Sequence, residues 1–195
     1  LLKQEKTFMH SVRIRPLIVL SLLIAFFSTK LQSEEVLGWV EKVQLQPWGV
    51  ESKAKLDTGA LTSSMHAEDI ERFEKDDESW VRFTVDLEDT QTGERISKRI
   101  ERPVLRDFTA VGAGGRDERA VVLMTICVGD MLYEEQFSLR DRDNMIYPIL
   151  LGRRTIQHLG PVDVTRTFLS EAQCDADSEL VSFNSTDDDP DIGVN

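Results

Sequence analysis

The residues best placed to do chemistry are Asp57-Thr58-Gly59-Ala60. They follow Lys53–Leu56 and precede Leu61–Ala67, so one strand runs into Asp57, turns at Gly59 and leaves as another. Such a turn presents a carboxylate at a strand end with backbone N–H groups beside it, and the Thr58 hydroxyl can hold the turn closed. By itself the tripeptide is also ordinary turn chemistry. A second element lies late in the chain, where Pro148-Ile149-Leu150-Leu151-Gly152-Arg153-Arg154 puts apolar residues, a glycine and an arginine at a strand-to-helix junction. Between the two, Ala110–Arg116 carries Gly112, Gly114 and Gly115, the composition of a flexible hairpin tip that would serve as a flap over a cleft.

In this order, Asp57-Thr58-Gly59-Ala60, the glycine tip and Leu150-Leu151-Gly152-Arg153 resemble the retropepsins, the single-domain aspartic proteases of retroviral type. The wider stretch, roughly residues 36–169, looks more like a bacterial branch often labelled ATP-dependent zinc protease; Trp39–Val43, Lys53–Ala67, Trp80–Phe83, Arg119–Val122, Leu139–Arg142 and Tyr147–Arg153 carry that likeness. The resemblance implies an all-β fold, a small closed acid-protease β-barrel with one or two short helices. It implies that Asp57 is catalytic, within a motif completed by Thr58 and Gly59. Ala60, Gly112, Gly114, Gly115, Leu151, Gly152 and Arg153 would then border the substrate. Two facing carboxylates cannot both ionise cheaply and share one proton, so the chemistry needs a second aspartate. Asp191-Ile192-Gly193 lacks Thr or Ser and sits in an acidic tail, so the second aspartate is expected from another copy of the chain in a homodimer.

Departures accompany the likeness. The retroviral enzymes place an Asp directly after the motif, paired with the late arginine; here that position is Leu61, and Arg153 needs another partner. The span from Asp57 to Gly152 is also longer, so either the Phe83–Arg102 hairpin or the Gly112–Gly115 tip is the flap. A catalytically silent barrel that binds a peptide or protein is the rival reading. Neither zinc nor ATP finds support. The three histidines are His10, His66 and His158, without His-Glu-x-x-His, and no phosphate-loop lysine motif occurs. No metal or cofactor is expected, and His66 reads as a strand-end surface residue. Arg102, Arg119, Arg142 and Arg153 stand out in an acidic chain; they pair with its acids or line a cleft for an acidic peptide. The second option agrees with the link to glutamate-ligase systems that the resemblance implies.

The elements that must hold these residues are strands. Val81, Phe83, Val85 and Leu87 alternate with polar residues, Asp89–Gly93 turns, and Glu94–Arg102 returns. Ala120–Val128, Met131–Leu139, Met145–Leu151 and Pro161–Leu169 read as further strands. Ala67–Lys75, with early acids and a late lysine, reads as a helix, and Arg153–Leu159 as a second helix stopped by Gly160-Pro161. Trp39, Trp48 and Trp80 read as core and rim anchors. A disulfide between Cys127 in an apolar strand and Cys174 in a polar tail is open to the chain but would have to bridge a strand to a loose end, so free or incidental cysteines are the favoured expectation.

The 195 residues carry 23 Lys and Arg against 35 Asp and Glu, a net charge of −12. That balance disfavours nucleic acid and anionic membrane surfaces as partners. Residues 1–33 hold five basic residues and a single acid, Glu5, and there Arg13-Ile14-Arg15 precedes the apolar stretch Leu17–Phe27. This is the layout of a secretory signal peptide or signal anchor over residues 1–33, with membrane contact only in the second case. Residues 34–170 form the expected domain, exported to the bacterial periplasm, and 171–195 an acidic disordered tail.

Overall fold

Short segments of alternating burial are joined by tight turns throughout a computed structural model that describes residues 35–112 and 115–184. The expected signal segment, Gly114 and the end of the acidic tail lie outside the described residues. In chain order the strands are β1 (Leu37–Gly38), β2 (Val40–Leu45), β3 (Val50–Leu56), β4 (Ser63–His66), β5 (Glu68–Lys75), β6 (Glu78–Glu88), β7 (Arg95–Pro103), β8 (Arg106–Gly112), β9 (Gly115–Val128), β10 (Met131–Arg140), β11 (Ile149–Leu151), β12 (Val162–Asp163) and β13 (Leu180–Val181). A single short helix, α1 (Arg153–Leu159), follows β11 among the described residues.

The pairing closes on itself. β2 pairs with β3 and β9, β9 with β10, β10 with β4, β4 with β11, and β11 with β3. The all-β architecture is therefore a ring of strands, which removes exposed edges around the core. Inside it lie Val43, Ala54, Leu56, Met65, Val122, Ile126, Phe137, Leu139, Ile149 and Leu151, all at most 4% exposed. β5, β6 and β7 form a separate antiparallel sheet whose inner face, Val81, Phe83, Val85 and Leu87, joins the same core. This sheet contains the hairpin expected from Phe83 to Arg102.

β11 does most to position the site. It runs parallel to β3, with Leu150 beside Lys55 and Leu151 beside Leu56, and antiparallel to β4. Three paired residues on the β3 side and two on the β4 side bring the late Leu151-Gly152-Arg153 alongside the early Asp57 turn. Backbone bonds complete the junction: Asp57 N donates to Leu151 O at 2.8 Å, and Arg153 N to Ala60 O at 2.9 Å.

Four expectations are corrected. Residues 68–75 form a strand rather than a helix. Ile70 and Phe73 supply too narrow an apolar stripe to hold a helix on the core. As a strand the segment bonds along β6, Phe73 rests near Trp80 with ring centroids 6.5 Å apart, and Arg82 covers the Phe73 ring at 4.9 Å. A bulge between Glu68 and Glu71 absorbs the entry, with Asp69 at φ 48°. Second, Cys127 and Cys174 are joined in a disulfide, with Cα atoms 6.0 Å apart. The segment bearing Cys174 is not loose: Gln173 N bonds Gly129 O, and Ala172 is 5% exposed. Third, the tail continues as structure to residue 184, with β13 laid parallel on β10. Fourth, the stretch 161–169 yields only β12, because the Asp163 carboxylate bonds Thr165 and Arg166 and bends the chain into a turn.

Candidate active site

Asp57 leaves β3 on the face that Lys55 also occupies, since alternate residues of a strand share a side. Its Oδ2 lies 2.9 Å from Lys55 Nζ, and its Oδ1 accepts the Gly59 N–H at 3.0 Å. Partial burial pushes the carboxyl pKa up. The Lys55 ammonium and the amides of Gly59 and Ala60 oppose that and prevail, leaving the group below the ordinary aspartate value. Asp57 is therefore ionised at neutral pH in this chain. A Cβ on Gly59 would stand 3.1 Å from Asp57 Oδ1, so the tight turn favours glycine there.

Arg153 has found its partner. With Leu61 in place of an acid, the guanidinium donates through Nη1 to the Thr58 carbonyl at 2.7 Å. Gly152 allows the close approach: a Cβ there would meet Leu61 O at 2.7 Å. Its N–H donates to Ser63 Oγ, which in turn bonds Thr155 Oγ1 at the start of α1.

Beside the turn opens a cavity of about 900 Å³ lined by Lys55, Gly59 and Ala60 on one side and by β8, β9 and β10 on the others. Phe108, Thr109 and Ala110 of β8 contribute to the wall, while no residue of the β5–β6–β7 sheet does. Of the two hairpins considered as a flap, only that of β8 and β9 borders the cavity. Its cationic lining is the stronger feature. Arg119, Arg140 and Arg142 all face it, and none of its lining residues is acidic. Arg119 and Arg140 share Asp117, at 2.7 and 3.9 Å. Arg142 forms no ion pair among the described residues; its Nε donates to Tyr147 O at 3.1 Å. Burial depresses the Arg142 pKa, the charges of Arg140 and Arg119 add to this, and Asp57 opposes it. These groups therefore sense one another's charge.

His66 is 3% exposed, so it is no surface residue. Its Nδ1 accepts the Arg142 backbone N–H at 2.9 Å and thus anchors the loop that carries Arg142 and Tyr147 into the cavity. His66, Glu68 and Asp143 form a cluster of potential metal ligands, with ligand atoms within 4.8 Å of one another. The donor set does not fit. An Nδ1 that accepts a hydrogen bond puts the proton of the neutral ring on Nε2, the atom facing Glu68 and Asp143 at 3.4 and 3.5 Å. That nitrogen carries a hydrogen rather than the lone pair a metal needs, and it makes no hydrogen bond to either carboxylate.

The structure thus brings together Asp57, Thr58, Gly59, Ala60, Leu151, Gly152 and Arg153, but on two sides of one turn. Ala60 and Gly59 border the cavity; Leu151 is fully buried in the core, and Gly152 and Arg153 brace the turn from behind. Gly112 and Gly115 face each other at the end of the β8–β9 hairpin, and Gly114 lies outside the described residues. Arg102 lies on β7 and bonds Glu101 O, away from this cavity. Lys55, Arg140 and the buried role of His66 were missed. Lys55-x-Asp57 and Ser138-x-Arg140-x-Arg142 have the period-two spacing that could have revealed the first two; nothing local marks His66.

Comparison with known proteins covers the stretch of chain that contains these residues. A family model described as the retropepsin-like aspartic endopeptidase RimB (RimB-like) matches residues 36–173. A protein from Shewanella halifaxensis named probable alpha-L-glutamate ligase is 34% identical over 128 residues, 65% of this chain and 28% of that protein. One of the same name from Shewanella pealeana is 35% identical over 117 residues, covering 60% of this chain and 25% of that protein. The chain thus spans about a quarter of the length of these relatives. A crystal structure of a Legionella pneumophila protein of unknown function (DUF785) superimposes with a TM-score of 0.57 at 35% identity, covering 70% of this chain and 98% of the other. With the match running from the first described strand to the disulfide-linked segment, this chain belongs to the RimB-like family of retropepsin-like aspartic endopeptidases.

Proposed function

We propose that the protein is an exported, homodimeric aspartic endopeptidase that cleaves acidic peptides. The observation that carries this reading is the Asp57 carboxylate, ionised on a braced turn whose Gly59 and Ala60, with the Asp57-bound Lys55, border an arginine-lined cavity. One such carboxylate takes a proton from water as the oxygen attacks the peptide carbonyl. The Asp57 of a second copy, protonated, donates to the carbonyl oxygen. The C–O bond forms, the tetrahedral carbon collapses, the C–N bond breaks, and the departing amine takes up the proton. Acid–base assistance of this kind contributes about 10²–10⁴-fold.

Arg119, Arg140 and Arg142 favour carboxylate side chains in the substrate. The glutamate-ligase names of the relatives agree with this, because adding glutamate to a chain makes it acidic. The Cys127–Cys174 disulfide favours an oxidising compartment, in keeping with an export segment. One observation favours the rival, a silent binding module: Lys55 already neutralises Asp57 within a single chain.

The test combines mass and cleavage. Sedimentation equilibrium over a range of concentrations should show a dimer, and a glutamate-rich peptide should be cut by the native chain but not by Asp57→Asn. A strict monomer that binds the peptide equally well with either residue and cuts it with neither supports the binding module.

A further inference from the structure

The two-aspartate chemistry above makes no use of Lys55. Its Nζ sits 2.9 Å from Asp57 Oδ2, while the Gly59 N–H holds Oδ1 at 3.0 Å, so each carboxylate oxygen has its own donor and the group cannot rotate freely. The lysine backbone is fixed on both sides, opposite Val40 of β2 and Leu150 of β11. Its side chain lines the cavity and stays 37% exposed, so the ammonium does not serve to fill the core. The charged groups facing the same space are Arg119, Arg140 and Arg142, and Arg153 lies behind the turn on Thr58 O. Asp117, the acid beside them, is engaged by Arg119 and Arg140. Asp57 is thus the acid that Lys55 serves.

We propose that Lys55 is a positioning residue for hydrolysis at Asp57, fixing the plane of the carboxylate through Oδ2 and lowering the pH range over which the paired aspartates hold their shared proton. The inference rests on Asp57 being the catalytic base. In a two-fold pairing, two ammonium groups surround two carboxylates and one proton, making the cluster net positive where bare carboxylates would be net negative. A positive cluster releases its proton more readily, so both limbs of the activity profile lie at lower pH than the carboxylates alone would give.

The experiment compares the full chain with Lys55→Gln, Lys55→Met and Lys55→Arg. The first readout is the titration of the Asp57 side-chain carboxyl carbon by NMR, which needs no turnover. The second is the pH profile of cleavage of a glutamate-rich fluorogenic peptide. The Asp57 midpoint should rise in the Gln and Met variants and stay in place in Arg. Cleavage at the native optimum should fall about 10–100-fold in Gln and Met, the scale of a misplaced reacting group. The remaining activity should shift to higher pH, and Arg should restore most of the loss. Lys55→Met keeps the aliphatic stem and carries the test should Lys55→Gln unfold. An Asp57 midpoint unmoved by loss of the ammonium overturns the inference, whatever happens to activity. A midpoint that moves while no form of the protein cleaves peptide supports the Lys55–Asp57 coupling and counts against the peptidase reading instead.

Discussion

The guanidinium of Arg153 donates to the carbonyl oxygen of Thr58 at 2.7 Å, joining residues 95 positions apart. Leu61 removes the acid that would otherwise take this arginine, and the backbone carbonyl replaces it. The bond acts on the turn from behind, at the peptide that orients Asp57. Arg153→Ala should therefore leave the barrel folded, with a loss near 1 kcal/mol by urea denaturation, since the bond is exposed. Peptide cleavage should fall by about 10–100-fold, mainly in kcat, because the carboxylate loses its alignment. Activity equal to the native chain would show that the turn holds itself.

Arg142 offers a separate test of specificity. Its guanidinium faces the cavity without an ion pair among the described residues, while its backbone is held by His66. Arg142→Gln keeps hydrogen-bonding capacity and removes the charge. Cleavage of a glutamate-rich peptide should drop about tenfold or more in kcat/KM, with a neutral peptide little affected. Equal losses on both substrates would assign Arg142 to structure alone. His66→Phe should reproduce part of the effect by releasing the loop.

The Cys127–Cys174 bond spans 47 residues and fastens the segment after β12 to the end of β9. Closing a loop of that size stabilises a fold by about 2–4 kcal/mol. The double Cys→Ser variant, or the native chain under reductant, should lose about that much in chemical denaturation. Protease should then cut between residues 170 and 184 before it cuts the ring. Resistance of that segment to cleavage would show that β13 and the Glu41 contacts to Leu169 and Ser170 suffice to hold it.

Acid should unfold the protein through a small set of carboxylates. Burial pushes Glu51 up, but bonds from Thr90, Lys42 and Gln91 outweigh it; burial likewise raises Asp89, and the Thr92, Glu51 and Gln91 amides outweigh that. Asp163 is lowered to about 2 by the Thr165 hydroxyl and amide and by Arg166. Groups depressed in the folded state stabilise it above their unfolded pKa and lose that contribution as pH falls through the folded value. The melting temperature should stay level from neutral pH to about 5 and drop steeply below about 4. Glu51→Gln should flatten that drop, because Glu51 ties the turn of the β6–β7 hairpin to β3. An unchanged acid limb would place the acid-sensitive group elsewhere.

Much of this was legible from residue order alone. The period-two pattern of residues 81–87 and the apolar run 120–128 each determine a strand locally, and Asp89–Gly93 and Asp-Thr-Gly-Ala mark their turns without help from distant residues. The helix expected at 67–75 failed because β6 offered that segment a full set of backbone bonds, which outweighs weak helical patterning. The disulfide, the burial of His66 and the Arg153–Thr58 bond depend on contacts across 47, 76 and 95 residues. The three arginines gather on one cavity because β9 and β10 pair and the chain beyond β10 folds back onto His66. Local sequence determines how a segment prefers to extend or turn; which charges then meet is decided when the ring closes and places separate strands side by side.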